Sequence, residues 1–310
     1  MMLIGGSFVG SVVATLGMIA FNIMKRSLKE EMVDKPVAKS GGAAIMFPVI
    51  VAWLFELGVG MGLILLILAT VFGIFSDFKK LKVGWHIIAV LVMGLMTGFG
   101  GFSLAFTDFS TVNGLLTLIF FGVVVLGAHL ANTFEGQLAG YAAISGVGIY
   151  MSQGITEDLA LVLAVSSLGF LFFNLYPAKI QIGASGCYGI VMIWMLLLSK
   201  EMPLIEGSLS EFYPIILLSL VWFEGIIGLI RFKSEGVLEF FDMEGSINSY
   251  LNTKFYLPAR TNVYIYLGIG LILIALSTLF VFVPWFVRAI IMAIVFALFV
   301  AGGLRLFEVY

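Results

Sequence analysis

The chain has 310 residues, 61% of them apolar and only 11% charged, with a mean hydropathy of +1.15. That composition excludes an ordinary soluble domain and places the chain among polytopic membrane proteins. A net charge of -2 excludes nucleic-acid partners, which need a basic face, and a single cysteine, Cys187, excludes a disulfide within the chain.

The apolar runs predict eleven spans, at 3–24, 43–57, 59–76, 85–104, 114–131, 138–153, 158–176, 187–199, 213–230, 263–283 and 285–304. The first is long enough to cross a bilayer and is followed by Lys25, Arg26 and Lys29, so it reads as a retained helix rather than a cleaved leader. The fold class predicted is all-α: a polytopic membrane bundle of about 10–11 transmembrane helices, forming one domain over 1–310. Lys and Arg are retained on the cytoplasmic side of a membrane, and an external N-terminus with a cytoplasmic C-terminus puts fourteen of the sixteen there. The expectation is an integral protein of the plasma membrane. Its polar material gathers in cytoplasmic segments 25–42, 77–84, 132–137, 177–186 and 231–262, so any chemistry is expected at that face.

The first segment, MVDKPVAKSGGAAIMF, carries Asp34, Lys35, Lys39 and the Gly41-Gly42 pair; alone these are juxtamembrane charges. In the second, Asp77 closes a span and Lys79, Lys80 and Lys82 follow; the carboxylate could serve a metal-phosphate group or cap and anchor a helix. The third, HLANTFEGQLAGY, spaces Asn132 and Glu135 three apart, on one face if the helix runs that far, and offers the oxygens that Mg2+ prefers. Asn-Thr-x-Glu is equally a helix N-terminal capping pattern. His86 and His129, the only histidines, read as hydrogen-bonded packing groups. The fourth, NLYPAKIQIGASG, ends a span at Pro177, offers Lys179 as a phosphate-binding cation, and lets backbone N–H groups at Gly183, Ser185 and Gly186 approach an anion. The fifth is the long loop 231–262, which mixes acids and aromatics with Lys254 and Arg260, the latter suited to bidentate phosphate contact. Glu224, inside an apolar run, is a further functional candidate because an acid there usually faces a cavity or a partner.

In order and spacing these segments resemble the polyprenyl-phosphate N-acetylhexosamine-1-phosphate transferases, a family with bacterial and dolichyl-phosphate members. The resemblance rests on DKP with a following Lys and GG at 34–42, FSDFKKL, Asn132 to Gly136, and above all FNLYPAKIQIGASG. It implies attack of a polyprenyl-phosphate oxygen on the sugar-bearing phosphate of a UDP-amino sugar, with release of UMP, in the synthesis of lipid-linked glycan or cell-wall precursors. It also implies Mg2+ neutralising the diphosphate, and it leaves room for a homodimer. On it, Asp77 and Glu135 are the catalytic carboxylates, Asn132 and Asp77 the metal ligands, and Lys39, Lys179, Gly183, Ser185, Gly186 and Arg260 the phosphate contacts.

Several positions depart from the family pattern. Its adjacent Asp pair is Ser76-Asp77 here, the metal-ligating Asp of its Gly-Asp-x-Gly falls on Ala184, an Asp falls on Leu138, another is Glu135, and the loop histidines are missing. Losing a charged ligand worth about 3 kcal/mol would slow the reaction roughly a hundredfold. Four readings stay open: a transferase with a rewired metal site, an enzyme altered at position 184, a degenerate relative that binds lipid phosphate or scaffolds a partner, and an unrelated transporter.

Overall fold

A computed structural model describes residues 2–27, 40–79, 81–152, 157–201, 212–235, 256 and 258–307. The elements are α1 (Met2–Ser27), α2 (Gly42–Leu57), α3 (Met61–Lys79), α4 (Val83–Phe99), α5 (Ser110–Ala131), α6 (Gln137–Met151), α7 (Glu157–Asn174), α8 (Gly183–Glu201), α9 (Tyr213–Leu217), α10 (Ser219–Glu235), α11 (Ala259–Phe282) and α12 (Trp285–Phe307). No strand occurs among the described residues. The protein is an all-α integral membrane bundle: α3, α5, α8 and α11 are long and apolar enough to cross a bilayer, and shorter apolar helices accompany them. A helix suits this setting because it satisfies its own backbone where no water is present.

The ninth expected span is two helices, α9 and α10, broken at Leu218. The Tyr141 hydroxyl donates to the Leu217 carbonyl at 2.7 Å, and the Trp222 indole N–H donates to the Ile215 carbonyl. Side chains thus take carbonyls that a continuous helix would use, a recognised cause of a kink. The fourth span stops at Phe99 rather than at 104, where Gly100 and Gly101 follow and Gly101 adopts φ 91°.

α3 shows how an apolar helix chooses its faces. Ile64, Leu68, Val71 and Phe75 are exposed at helical spacing and suit a lipid surface, while Leu65, Leu66, Ala69, Gly73 and Ser76 turn inward. α8 is the central helix: every residue from Cys187 to Leu198 is buried, and α2, α3, α5 and α6 surround it. Its Trp194 indole donates to the Ser145 hydroxyl on α6 at 2.9 Å, so the largest side chain of the core leaves no polar atom unsatisfied.

Close approach needs small residues, because helices in lipid gain association from contact rather than from expelling water. At one end of the bundle α2, α3 and α8 meet backbone to backbone. The Gly41 N–H donates to Gln181 O at 2.9 Å and the Gly42 N–H to Ile182 O at 2.7 Å. A Cβ on Gly42 would fall on the Gly186 backbone, and one on Gly73 would lie 2.6 Å from the Ala184 carbonyl oxygen. Gly73→Ala is therefore expected to destabilise the fold by about 1–3 kcal/mol as an overpacked contact. Gly268→Ala, where a Cβ meets nothing within 4 Å, is the control. Thermal unfolding in detergent should separate the two, with only the first lowering the midpoint.

Candidate functional site

The loop 175–182 between α7 and α8 organises the site, and its two ends gather different groups. At the α8 end, Asp77 from the last turns of α3 points at the first turn of α8. Its Oδ1 accepts the Ala184 N–H at 2.7 Å and its Oδ2 accepts the Ser185 N–H at 3.1 Å. The Ser185 hydroxyl donates to the Ile182 carbonyl at 3.2 Å. Gly183 makes this approach feasible: it adopts φ 71°, and a Cβ there would lie 2.6 Å from a carboxylate oxygen of Asp77. Ser40, also at positive φ (75°), is buried beside it. The N–H groups expected to cradle a ligand phosphate, those around Gly183, Ser185 and Gly186, hold an anion supplied by the chain itself. Asp77 does cap a helix, but the helix is α8 rather than its own.

Ser76, at the position of the family's other Asp, turns away from this contact. Its hydroxyl lies 3.1 Å from His86 Nε2, and His86 Nδ1 lies 2.9 Å from the Tyr188 hydroxyl. The His129 ring stands edge-on to Tyr188 at 5.3 Å. Both histidines thus sit in a buried polar and aromatic cluster that ties α3, α4, α5 and α8 together.

At the α7 end of the loop, Glu135 Oε2 accepts the Ala178 N–H at 2.9 Å. The buried Asn174 bridges the same region: its Oδ1 accepts the Gly136 N–H at 3.0 Å and its Nδ2 donates to the Ile180 carbonyl at 2.8 Å. Arg260 comes from the start of α11. Its guanidinium lies 4.6 Å from the Tyr176 ring centre and donates to the Tyr176 carbonyl at 3.3 Å. Glu135, Tyr176, Arg260 and Val263 line two adjoining open cavities of ≈ 210 Å³ each. No ion pair joins Glu135 to Arg260, so both charges face the cleft. Residues 132–136 are a turn and not a helical face, because α5 ends at Ala131 and Gly136 adopts φ 86°. Asn132 is half-buried at the α5 C-terminus, and α6 begins at Gln137 without a side-chain cap, so the shared-face and capping-box readings both give way to Glu135 reaching across to the loop.

Lys179 is exposed on the loop, and Glu224 is fully buried in α10. Lys39 and residues 236–255 and 257 of the long loop lie outside the described residues. Sequence reasoning missed Ser40, Asn174 and Tyr176; Asn174 and Tyr176 stand in the quoted NLYP stretch, one as the first residue of its Asn-x-x-Pro, and Ser40 directly precedes the glycine pair.

The residues at Asp77 do not fit a tightly held divalent cation. Each oxygen of Asp77 already accepts one backbone N–H from the first turn of α8. Position 184 supplies no second acid, and no group of three His, Cys, Asp or Glu able to hold a metal occurs among the described residues.

Three proteins resemble parts of the chain. Over 125 residues it is 31% identical to a Bacillus subtilis protein named a probable undecaprenyl-phosphate N-acetylglucosaminyl 1-phosphate transferase, covering 37% of the chain and 34% of that relative. Over 133 residues it is 30% identical to a Methanocaldococcus jannaschii protein provisionally named a glycosyltransferase, covering 39% and 41%. Over 70 residues it is 39% identical to the phospho-N-acetylmuramoyl-pentapeptide-transferase of Thermotoga maritima, covering 21% and 23%. The chain thus matches less than half the length of these relatives, and no protein-family model matches it.

Asn174→Ala would orphan the Gly136 N–H and the Ile180 carbonyl, at about 1–3 kcal/mol per buried group. The expected result is a lower thermal midpoint with faster proteolysis at 175–182; Asn174→Asp, which keeps only the acceptor, should fall between. Over the matched segments, the chain is similar to an undecaprenyl-phosphate sugar-phosphate transferase and a phospho-N-acetylmuramoyl-pentapeptide-transferase.

Proposed function

We propose that the chain acts on a polyprenyl phosphate and a UDP-amino sugar, transferring the amino-sugar 1-phosphate to the lipid and releasing UMP. The observation that carries this reading is the cleft in which Glu135, Tyr176 and Arg260, from three distant segments, face one open volume. The names of two relatives, an undecaprenyl-phosphate and a phospho-N-acetylmuramoyl-pentapeptide transferase, supply the substrate class. Arg260, fixed over the Tyr176 ring, is placed to take a phosphate in its fork, and the exposed Lys179 adds a mobile charge on the same loop. Such a reaction asks the protein mostly for positioning and charge neutralisation, with little covalent chemistry of its own. The cleft would open to the cytoplasm, where nucleotide sugars are made, in the plasma membrane.

A second reading has an observation of its own. The family's metal-ligand positions here are an alanine and a carboxylate that accepts two backbone N–H groups of α8, which suits a relative that holds the lipid phosphate without turning it over.

UMP release from UDP-amino sugars by membranes carrying the chain, with polyprenyl phosphate added, tests both. The first reading expects release that falls about tenfold or more in Arg260→Ala, the equivalent of roughly 1.4 kcal/mol, with partial recovery in Arg260→Lys. Absence of release across several sugars, with polyprenyl phosphate still raising the thermal midpoint of the wild type but not of Arg260→Ala, supports the second. Absence of both effects contradicts both readings.

A further inference from the structure

The geometry points to a metal-free role for Asp77: we infer that its carboxylate is the internal hydrogen-bond acceptor holding the first turn of α8 against α3, and that no divalent ion is coordinated at this point. The inference goes beyond the proposed function, because it holds whether the chain turns over or only holds lipid phosphate.

Four observations converge. First, the carboxylate meets the α8 N-terminus, where the helix dipole and free N–H groups favour an anion, and the Ala184 and Ser185 N–H groups reach one oxygen each at 2.7 and 3.1 Å. Second, Ser40 is buried at the entry to α2, and the Gly41 and Gly42 N–H groups donate to the Gln181 and Ile182 carbonyls just before α8, so α2, α3 and α8 close together at this point. Third, the helices meet at backbone distance beside the carboxylate. A Cβ on Gly183 would already lie 2.6 Å from the carboxylate, and the Gly42 and Gly186 backbones approach too closely for a Cβ on either. Fourth, the neighbouring positions have lost what an ion would need. Ala184 carries no oxygen ligand, and Ser76 directs its hydroxyl to His86 rather than toward Asp77. Mg2+ demands near-octahedral oxygen coordination and usually keeps several waters. An ion here would find no acid at position 76 or 184 beside Asp77.

The alternative occupant of the same N–H groups is a ligand phosphate. The distances exclude it while Asp77 stays in place, since both N–H groups already have a partner. Phosphate recognition therefore belongs to the other end of the loop, at Arg260 and Lys179.

The test uses the full-length protein in detergent, stripped with chelator, with Mn2+ as the spectroscopic probe for a divalent site. Electron paramagnetic resonance titration of the wild type should show no tightly bound Mn2+ that Asp77→Asn removes, and the thermal midpoint should be the same in chelator and in excess Mg2+. Asp77→Asn, which presents an N–H2 group to one of the donors, should lower the midpoint by several degrees equally under both conditions. Ser40→Ala should lower it less. Manganese that persists in Asp77→Asn is bound elsewhere and agrees with the assignment. Stoichiometric Mn2+ lost in Asp77→Asn, or a midpoint raised by Mg2+ in wild type alone, overturns it. Should Asp77→Asn fail to fold, the Mg2+ response of wild type beside Ser40→Ala decides: a midpoint raised by Mg2+ in both contradicts the assignment, and insensitivity in both supports it.

Discussion

The contact between the Asp77 carboxylate and the first turn of α8 constrains everything around it. α8 is the buried axis of the bundle, and its N-terminal N–H groups open toward a polar end where unsatisfied donors are costly. An anion from α3 satisfies them, and a charge of that kind at a partly buried helix N-terminus contributes up to about 2 kcal/mol. The cost is geometric: the helices must meet at backbone distance. Glycines at 42, 73, 183 and 186 are the residues that allow it.

Once α8 is fixed in this way, the loop before it is fixed as well. Asn174 closes the loop on itself and on Gly136, Glu135 reaches Ala178, and Tyr176 is left outside as a platform for Arg260. One rigid loop thus presents a structural anion at one end and an open, oppositely charged cleft at the other. Position 184 is an alanine, while Asp77 meets the first turn of α8 and Glu135 lines the cleft. The acids retained in the motifs have been divided between holding the bundle together and lining the cleft.

Much of this was legible in the sequence. Uniform apolar runs gave the helices with ends within about five residues, because in lipid a run of that length has no alternative to a helix. The break at Leu218 was not legible, since it depends on Tyr141 and Trp222 reaching in from the side. Glu135 and Arg260 line a common cleft, whereas Asp77 and the glycines at 183 and 186 gather at the other end of the 175–182 loop. The helical-face argument for Asn132 and Glu135 failed because Gly136 at φ 86° ends the region as a turn. The glycines around 183 read as a phosphate cradle from their backbone freedom alone; in the structure the Ala184 and Ser185 N–H groups beside them donate to Asp77. Which anion fills the cradle depends on a residue more than a hundred positions away, and spacing along the chain carries no information about that.

The measurement that bears most directly on this account is an experimental structure of the protein in a lipid nanodisc with excess Mg2+, read at one place, the Asp77 carboxylate. The account predicts both oxygens still on the N–H groups of Ala184 and Ser185, near the present 2.7 and 3.1 Å, with no density for an ion between α3 and α8. A carboxylate swung away from α8 onto a bound cation would contradict it.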